Sequence, residues 1–460
     1  MAVSENVPLR DVTFAAGAGA GRFLRDEAAR IDLAALSAST VLDGQRERLR
    51  DACVVLRLSS QLATALALLE LDGLARRIVL CTPDLSEAHL RLALVTAQAD
   101  AVLTDRPMPE LADTGVPVIA GGGAALQADD APWTGGAATE WALFTSGTSG
   151  PPKLALHTLR TLTGPMANRP ATGGVWSTFY DIRRYGGLQI LLRALLGGGS
   201  MVLSGAHEEP RDFFARLSEA GVTFLSGTPT HWRRALLCPN ARAIQPPDVR
   251  LSGEVADQAI LDKLRATYPD ARINHAFAST EAGVAFEVGD GLSGFPADWI
   301  GQTRNGVELR VRDGTLHIRS PRTASRYLGT TAGPLMDADG FVDTKDLIEP
   351  RDGRYHFMGR RDGVINVGGL KVHPEEVEAV VNRHPAVRMS MVRAKRSPII
   401  GAVVVVDVVP ADETGRGGTL EAEILEACRQ ELAAHKVPAA VKLVPSLPVN
   451  AAGKLIRAHA

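Results

Sequence analysis

Hydrophobic residues in the first two thirds of the chain form short apolar runs, separated by longer segments with helical periodicity. In chain order, strand-like and helix-like segments alternate at 51–58, 62–75, 76–83, 86–99 and 99–105. Both helix-like segments have the pattern of amphipathic helices. The order of helix, turn and apolar strand recurs at 187–204, 212–229 and 260–279. Strands that alternate with helices predict βαβ units and a parallel sheet.

The pattern changes after about Gly291, where apolar and polar residues begin to alternate one by one. The segment 307–321 alternates in this way around Asp313-Gly314, a dipeptide that favours a tight hairpin turn. A small antiparallel region is therefore predicted. Turn-forming residues cluster again at 351–363, which we interpret as a domain boundary. Beyond it, the pattern predicts a helix, a strand and a helix at 373–385, 402–410 and 420–435.

These elements predict an α/β protein of two domains. Residues 1–358 form the large N-terminal domain, in which parallel-sheet βαβ subdomains precede the small antiparallel β region. Residues 359–460 form a small mobile α+β C-terminal domain. A length of 460 residues agrees with this division, because it exceeds what one hydrophobic core usually serves.

Composition narrows the classes of protein. A content of 45% hydrophobic and 22% charged residues is ordinary for a globular protein. The net charge of -2 gives no electrostatic reason to expect a nucleic acid or an anionic membrane as partner. The basic residues Arg393, Lys395 and Arg396 are expected on a solvated face. The sequence shows neither a secretory signal nor an apolar run of the roughly 18 residues that span a bilayer.

The four cysteines are scattered, without a CxxC pair. They indicate neither a disulfide framework nor a zinc site, and they fit a reducing compartment. We therefore expect a soluble, cytoplasmic protein.

The strongest chemical signal is TSGTSGPPK, which runs from Thr145 to Lys153 directly after the apolar run Trp141–Phe144. Small residues let the backbone curl so that successive N–H groups point at one anion, and the hydroxyls add further donors. Lys153 adds a positive charge. The segment lacks the spacing of a Walker A loop, so the sequence predicts a phosphate-binding loop of another kind.

TSGTSGPPK resembles the phosphate-binding loop of the adenylate-forming superfamily of acyl- and aryl-CoA ligases, peptide-synthetase adenylation domains and beetle luciferases. Other elements of that family's pattern follow in the same order and cover nearly the whole chain. They are LSGE (251–254), FASTEAG (277–283), DTKDL (343–347), GRRDGVINVGGLKVHPEEVE (359–378) and LPVNAAGKLIR (447–457). The resemblance implies activation of a carboxylic acid by ATP as acyl-AMP, followed by transfer to a thiol.

The resemblance also implies roles for individual residues. Phe277 would stack on adenine, Thr280 would contact a phosphate and Glu281 would hold Mg2+. Asp346 would accept the ribose hydroxyls, and Lys454 would bridge the substrate carboxylate and the phosphate. The implied nucleotide-binding residues are Thr145, Ser146, Gly147, Thr148, Ser149, Gly150, Gly253, Glu254, Phe277, Ala278, Asp346 and Arg360. The implied catalytic residues are Lys153, Thr280, Glu281 and Lys454.

The fourth element governs the second half of the reaction. By resemblance, Asp362 is the hinge of the small domain, and Gly368 and Gly369 meet the acceptor thiol. This chain departs from the pattern twice, with Lys345 where glycine usually precedes the ribose aspartate and with Asn366 where lysine is more frequent. No carrier domain follows Lys454 in the sequence, so the expected acceptor is CoA or the phosphopantetheine of a separate carrier protein.

The acid pocket is the least determined part of the site. The resemblance places it at Tyr180, Asp181, Tyr185, Gly186, Thr228, His231 and Ala276. Asp181 has two interpretations: it reads a substrate amine, or it pairs within the chain with Arg183 or Arg184. Tyr180 and Tyr185 either stack on an aromatic acid or belong to the core. His231 either faces the substrate carboxylate or lies in a turn satisfied by backbone.

The sequence therefore predicts an enzyme that uses ATP, Mg2+ and CoA to activate an aryl or small acyl acid. The alternatives are a ligase that loads a separate carrier protein and an adenylating enzyme with a non-thiol acceptor. A non-catalytic nucleotide-binding regulator is a further alternative from a different class. The retained Lys153, Glu281, Asp346 and Lys454 argue against it. The stretch before Thr145 is somewhat shorter than in typical relatives, so a shortened N-terminal subdomain is also expected.

Overall fold

The computed structural model describes residues 7–15, 21–129, 133–145, 153–166, 173–205, 208–329, 333–397, 401–411, 419–449 and 454–456. Two sheets with connecting helices and a third, antiparallel sheet form a large lobe, and a small lobe follows. Within the described ranges, no helix combines the length and the apolar character needed to cross a membrane.

The first sheet contains seven strands among the described residues. Their order is Arg326–Tyr327, Leu154–Thr158, Glu140–Phe144, Arg77–Leu80, Cys53–Arg57, Ala101–Thr104 and Val118–Ala120. The last five run parallel to one another, and the first two are antiparallel additions. The connecting helices Gln61–Leu71 and Glu87–Ala97 confirm the predicted βαβ order.

The second sheet contains eight strands in the part of the chain that the structure describes. Their order is Gly283–Val288, Arg272–Ser279, Asp248–Ser252, Phe224–Gly227, Val175–Thr178, Ser200–Val202, Phe23–Arg25 and Arg30–Asp32. The inner strands are parallel, and the strand at each edge is antiparallel. Its helices are Tyr185–Leu196, Pro210–Glu219, Pro229–Ala235 and Gln258–Thr267. The repeated pattern of the sequence is thereby confirmed.

Helix Gln61–Leu71 is buried on every side, so the amphipathic interpretation of its sequence was wrong. Its leucines share one hydrophobic core with helix Tyr185–Leu196 and with strands of both sheets. A helix enclosed between two sheets has no solvent-facing side and is therefore apolar all round. Helix Glu87–Ala97 does have the predicted exposed face, where Val95 is 77% exposed.

The third sheet is antiparallel, as predicted. Its strands, among the described residues, are Phe295–Pro296, Arg354–Arg360, Val342–Arg351, Thr315–Arg319, Val307–Arg312 and Thr303–Arg304. Asp313 and Gly314 form the predicted hairpin turn, both with left-handed backbone (φ 49° and 74°). The segment 351–363 is not a simple linker, because most of it forms strand Arg354–Arg360. The large lobe therefore extends past the predicted boundary at 358.

The small lobe begins with the hairpin Ile365–Val367 and Leu370–Val372, followed by helix Pro374–Val381. Strands Val387–Ser397, Gly401–Pro410 and Ala440–Leu443 pair into one sheet, and helix Thr419–Glu431 packs on it. The sequence prediction missed strand Val387–Ser397, whose outer end carries the exposed Lys395 and Arg396. Arg393 is half-buried and pairs with Asp407 at 2.8 Å, so the predicted solvated face is only partly correct.

Shorter elements complete the described chain. They are helices Leu9–Ala15, Arg46–Leu49 and Leu159–Thr163, and the paired strands Ser39–Thr40 and Gln127–Ala128.

The four cysteines are distributed over both lobes. Cys53, Cys81 and Cys428 are buried, and Cys238 is half-buried.

Candidate active site

The predicted site residues follow the carboxyl ends of parallel strands in the second sheet. Tyr180 comes shortly after strand Val175–Thr178, Thr228 follows Phe224–Gly227, and Gly253 follows Asp248–Ser252. Thr280 follows Arg272–Ser279, the next strand in the sheet. In open α/β sheets, ligands bind in the crevice outside this edge. The topology therefore brings together residues that are far apart in the sequence.

The phosphate-binding segment joins two antiparallel strands, Glu140–Phe144 and Leu154–Thr158. The N–H of Thr145, which is buried, donates to the carbonyl of Lys153 at 2.9 Å and closes the base of the loop. The side chain of Lys153 is exposed. Predicted residues Ser146, Gly147, Thr148, Ser149 and Gly150 lie outside the described residues.

Tyr327 joins two of the predicted catalytic residues. Its strand pairs with Leu154–Thr158, and its ring lies under the ammonium of Lys153, with Nζ 4.8 Å from the ring centroid. Its hydroxyl donates to Glu281 Oε1 at 3.2 Å. Burial raises the pKa of Tyr327, so the hydroxyl keeps its proton and remains a donor. The sequence analysis did not single out Tyr327, since no spacing connects it to Glu281.

Glu281 lies in a tight turn between strands Arg272–Ser279 and Gly283–Val288, so the FASTEAG segment is part of a hairpin. The N–H of Ala282 donates to Ser279 Oγ at 3.0 Å within this turn. Gly283 has φ 77°, and a Cβ there would lie 2.7 Å from the carbonyl oxygen of Arg322. The turn therefore requires glycine for both its backbone conformation and its close packing.

His157 supports this turn from below. It is buried, its Nε2 lies 2.7 Å from the carbonyl oxygen of Thr280, and its Nδ1 lies 3.0 Å from Thr161 Oγ1. Burial lowers the pKa of His157 to about 4, so the ring is neutral at pH 7 and Nε2 carries the proton that it donates. His157 is a second residue that sequence reasoning missed, because its partner is distant in the chain.

The predicted adenine wall is aromatic. The ring of Phe277 is stacked parallel to Phe357, with centroids 5.1 Å apart and an interplanar angle of 5°. Phe286 stacks nearby, at 5.8 Å from Phe277. The pairing register shifts between Phe277 and Ala278, and such bulges are common beside functional sites because they redirect side chains. Stacking of Phe277 on adenine stays a prediction.

The predicted ribose carboxylate stands opposite an arginine, because Asp346 and Arg360 face each other on paired strands. Burial raises the pKa of Asp346 to about 6, although the guanidinium of Arg360 opposes the rise. Lys345 precedes it with φ 62°, a left-handed conformation that favours glycine. The glycine of the family pattern is therefore replaced here without a change in the backbone turn.

The tail of the small lobe reaches this same place. A Cβ on Gly253, whose φ is 86°, would lie 3.3 Å from Lys454 Cε and 3.6 Å from its Nζ. Burial lowers the pKa of Lys454, while the carboxylates of Glu254 and Asp346 oppose that effect. Both oxygens of Glu254 accept backbone N–H groups, from Thr230 at 3.0 Å and from Leu455 at 3.3 Å. The contact of Glu254 with a nucleotide stays a prediction, and its carboxylate here connects helix Pro229–Ala235 to the tail.

The Asp181 carboxylate pairs within the chain, as one of its two sequence interpretations predicted, while contact with a substrate amine stays untested. Its Oδ2 lies 2.7 Å from Arg183 Nη2, and its Oδ1 accepts from the Nε and the backbone N–H of Arg183, both at 2.8 Å. Both oxygens are therefore engaged by a neighbouring arginine. The second of the two sequence interpretations is confirmed.

The other pocket residues pack against neighbouring parts of the chain. The hydroxyl of Tyr180 donates to the carbonyl of Ser252 at 2.8 Å, and a Cβ on Gly186 would lie 3.7 Å from the Tyr180 ring. Tyr185 is buried at the start of its helix, with its ring 5.5 Å from that of His157. Ala276 is buried in the strand that leads to Phe277.

Thr228 and His231 cap helix Pro229–Ala235. Thr228 Oγ1 accepts the N–H of His231 at 3.0 Å, and the N–H of Thr228 donates to His231 Nδ1 at 3.2 Å. Burial lowers the pKa of His231 to about 4, with the positive charges of Arg234 and Lys454 adding to the effect. The interpretation of His231 as a turn residue satisfied by backbone is confirmed.

The predicted hinge and acceptor loop lie at the start of the small lobe. Asp362 is exposed in the single turn Arg361–Gly363. Arg361 beside it donates to Thr315 Oγ1 at 2.8 Å and so holds the large lobe. Gly368 and Gly369 form an exposed turn with φ 58° and 89°. The structure thus brings Lys454 to the sheet edge, while the acceptor glycines remain on the surface.

A magnesium ion, which the family resemblance implies, fits the residues present. Among the described residues, no group of three or more histidine, cysteine, aspartate or glutamate side chains forms a metal cage. Magnesium in nucleotide sites is usually held by one or two carboxylates together with phosphate oxygens. The single carboxylate of Glu281 beside Lys153 suits an ion that arrives with ATP.

A parallel-sheet lobe whose strand ends meet a lysine from a small α+β lobe defines the adenylate-forming class. The chain belongs to the AMP-binding enzyme family. The model of the AMP-binding enzyme matches residues 52–328, and the model of the AMP-binding enzyme C-terminal domain matches residues 376–454.

Solved structures share the fold at low sequence identity. That of the anthranilate CoA ligase AuaEII in complex with anthranoyl-AMP has a TM-score of 0.82 at 18% identity, covering 98% of this chain and 96% of that one. At such identity, the likeness establishes the fold alone. It confirms the predicted α/β architecture with a C-terminal domain.

Curated relatives are similar over part of the chain. The p-hydroxybenzoic acid–AMP ligase FadD22 of Mycobacterium tuberculosis is 27% identical over 344 residues, which are 70% of this chain and 48% of that protein. The 2-succinylbenzoate–CoA ligase of Salmonella typhimurium is 27% identical over 321 residues, 68% of this chain and 66% of that protein. The chain thus spans about half the length of the first relative and slightly under two thirds of the second.

Proposed function

We propose that this protein activates an aryl or small acyl acid as its acyl-AMP, with release of pyrophosphate, and then passes the acyl group to the thiol of CoA. The observation that carries the proposal is the position of Lys454. The small lobe delivers this lysine to Gly253 at the strand ends, where Asp346 and Arg360 also face the site. An ammonium there suits a reaction that joins two anions.

The substrate acid is already ionised at pH 7, because the pKa of a carboxylic acid is about 4. It needs no general base, and the obstacle is repulsion between its carboxylate and the α-phosphate of ATP. Lys454 attracts both groups, and Lys153 attracts the phosphates. Magnesium held by Glu281 would supply further positive charge to the phosphate oxygens. Fixed positive groups of this kind stabilise the charge that develops in the transition state.

The remaining residues position the nucleotide. Asp346 accepts the ribose hydroxyls, Phe277 stacks on adenine, and Thr280 contacts the phosphate. These roles are supported by the position of Phe277 and Thr280 in and directly after strand Arg272–Ser279, and by the pairing of Asp346 with Arg360. Arg360 offsets the charge of Asp346. After adenylation, the small lobe turns about Asp362 and brings Gly368 and Gly369 to the acceptor thiol, whose thiolate attacks the acyl carbonyl and expels AMP.

The acid class follows from the walls of the pocket. Tyr180 and His231 present aromatic rings, and the Tyr180 hydroxyl and His231 Nδ1 are already bonded within the chain. Such walls suit a flat or short apolar acid rather than one that carries an amine. The relatives include ligases of p-hydroxybenzoic acid and 2-succinylbenzoate, which supports an aryl acid. The substrates ATP and CoA favour a cytoplasmic location.

A second acceptor is favoured by one observation. FadD22 is named an acid–AMP ligase rather than a CoA ligase, so a separate carrier protein with a phosphopantetheine thiol is the alternative to CoA. Offering the same acid with CoA and with a phosphopantetheinylated carrier protein separates the two, because only the true acceptor accumulates thioester.

The test of the proposal is a panel of aryl, short-chain and amino acids assayed for pyrophosphate release, with and without CoA. We expect release that depends on an aryl or short acid and on Mg2+, and thioester formation only when an acceptor is added. Absence of acid-dependent release across the panel, together with failure to bind ATP, would refute the proposal. The Lys454→Ala variant is the matched negative control.

A further inference from the structure

Glu254 is the large-lobe residue that touches the tail carrying Lys454. It follows Gly253 at the end of strand Asp248–Ser252, and its carboxylate accepts two backbone N–H groups that are far apart in the sequence. Oε2 accepts from Thr230 at 3.0 Å, which fixes the carboxylate to the large lobe. Oε1 accepts the N–H of Leu455 at 3.3 Å, and Leu455 belongs to the tail of the small lobe. The carboxylate thus bridges the two lobes.

The tail does not need Glu254 in order to fold. Val449 pairs with Leu455 in an antiparallel bridge, and the N–H of Ile456 donates to the carbonyl of Pro448 at 3.0 Å. These contacts lie within the tail itself. The bond from Leu455 to Glu254 therefore decides where the folded tail docks, and docking places the neighbouring Lys454 beside Gly253.

Glu254 also balances the charge of the lysine. Four ionisable groups act on Lys454 from the surrounding elements: Glu254 and Asp346 favour its charged form, while Arg360 and Arg184 disfavour it. Burial disfavours the charged form as well, and of the two carboxylates Glu254 acts more strongly. A buried ammonium on which two arginines act unfavourably needs a carboxylate close by until the substrate anions arrive.

We propose that Glu254 is a positioning residue for adenylation, which docks the tail through Leu455 and keeps Lys454 in place as an ammonium, and which releases the tail when the small lobe turns for thiol transfer. This inference rests on the proposed function. It predicts that Glu254 matters for the first half-reaction and not for the second, because only the first uses Lys454 at Gly253.

The central test separates the half-reactions in Glu254→Gln, which keeps the shape of the side chain and removes its charge. We expect acid-dependent pyrophosphate exchange to slow by about 10- to 100-fold, the range for loss of a hydrogen bond to a charged group. Thioester formation from supplied acyl-adenylate should stay within about twofold of the wild-type rate, on the same argument. The matched control is Glu349→Gln, which removes one charge from an exposed position of strand Val342–Arg351.

The pH profile distinguishes positioning from a general structural role. Removal of a negative charge lowers the pKa of Lys454 further, so the alkaline limb of the exchange rate should move to lower pH in Glu254→Gln. The conservative variant Glu254→Asp retains the charge and should keep the limb near its wild-type position, even if its shorter side chain slows the rate. In a Lys454→Ala background, Glu254→Gln should cost nothing more.

A measurement that needs no catalysis tests the contact between Glu254 and Leu455 separately from the proposed reaction. Hydrogen exchange at the Leu455 amide should be faster in Glu254→Gln than in wild type, and unchanged in Glu349→Gln. Equal slowing of both half-reactions, or unchanged protection of that amide, would overturn the role of Glu254. A wild-type protein that shows no acid-dependent exchange, but does show the faster amide exchange in the variant, would overturn the proposed function and leave the docking contact intact.

Discussion

The phosphate side and the acid side of the site use their polar groups in opposite ways. On the phosphate side, Lys153 is exposed above an aromatic ring, and Glu281 accepts the hydroxyl of Tyr327. On the acid side, Asp181, His231 and the hydroxyl of Tyr180 are bonded to the chain itself. The phosphate side therefore presents charged groups to an incoming ligand, whereas the acid side presents a surface whose shape determines which ligand fits.

This difference indicates where specificity and rate arise. Charged groups that meet the phosphates act on every substrate, because ATP is common to all of them. A pocket with internally bonded polar groups discriminates by size and by contact, and such discrimination is worth about 1–3 kcal/mol for each methylene group. The following variants test the two halves of this comparison.

The largest effect is expected at the phosphate side, from Lys454→Ala. Acid-dependent pyrophosphate exchange should fall by about 10²–10³-fold or more, because the variant removes a fixed charge from the transition state. Thioester formation from supplied acyl-adenylate should survive, since that step does not use the lysine. Equal loss of both half-reactions would show that the lysine serves the whole fold or both steps.

On the acid side, Asp181→Asn should cost stability rather than alter substrate choice. Arg183 is 4% exposed and would lose its charged partner, for which about 3 kcal/mol is expected in the free energy of unfolding by urea. Asp84→Asn is the control, because its pair with Arg184 is exposed and is worth at most about 1 kcal/mol. A selective loss of activity with amino acids, without loss of stability, would restore the amine interpretation.

Tyr327→Phe tests the connection within the phosphate side. The ring under Lys153 is kept and the hydroxyl that orients Glu281 is lost, so exchange should slow by about tenfold. The Mg2+ concentration for half-maximal rate should rise. Tyr355→Phe, which removes a hydroxyl from the third sheet, provides the comparison. If the magnesium requirement does not change, Tyr327 is not a positioning residue for Glu281.

The smallest effect is a pH dependence of nucleotide binding. Burial raises the pKa of Asp346 to about 6, so the carboxylate gains a proton as the pH falls through that value and accepts the ribose hydroxyls less well. Affinity for adenosine, which has no phosphate to titrate in this range, should weaken below about pH 6 by up to about tenfold for each pH unit when measured by calorimetry between pH 5 and 8. Asp346→Asn should bind weakly and show no such slope near pH 6.

Much of the fold could be predicted from the sequence, because its determinants are local. The alternation of apolar runs and helical segments predicts the parallel sheets, and the dipeptide Asp313-Gly314 predicts the hairpin turn that it forms. The buried helix Gln61–Leu71 was misjudged because burial on all sides depends on a neighbouring sheet. Strand Val387–Ser397 was missed because its basic residues resemble a surface segment.

The residues of the candidate site also divide into those that the sequence indicates and those that only the folded structure reveals. Residues within the motifs, such as Lys153, Glu281 and Lys454, could be found from sequence because the chemistry needs particular residue types at fixed spacing. Tyr327 and His157 could not, since each acts on the FASTEAG turn from a strand that only the folded sheets bring near. The backbone of Lys345 could not be predicted either. This residue stands where the family pattern has glycine, yet its backbone is left-handed.

The placement of the cysteines has a consequence for the proposed reaction, whose intermediate is a mixed anhydride. Thiolates are the nucleophilic form of cysteine. Burial raises the pKa of Cys81 to about 12 and that of Cys428 to about 11, and it also raises the pKa of Cys53. These three side chains therefore stay protonated and buried, so they are protected from acylation. Half-buried Cys238 is the position at which a thiol-directed dye would attach first.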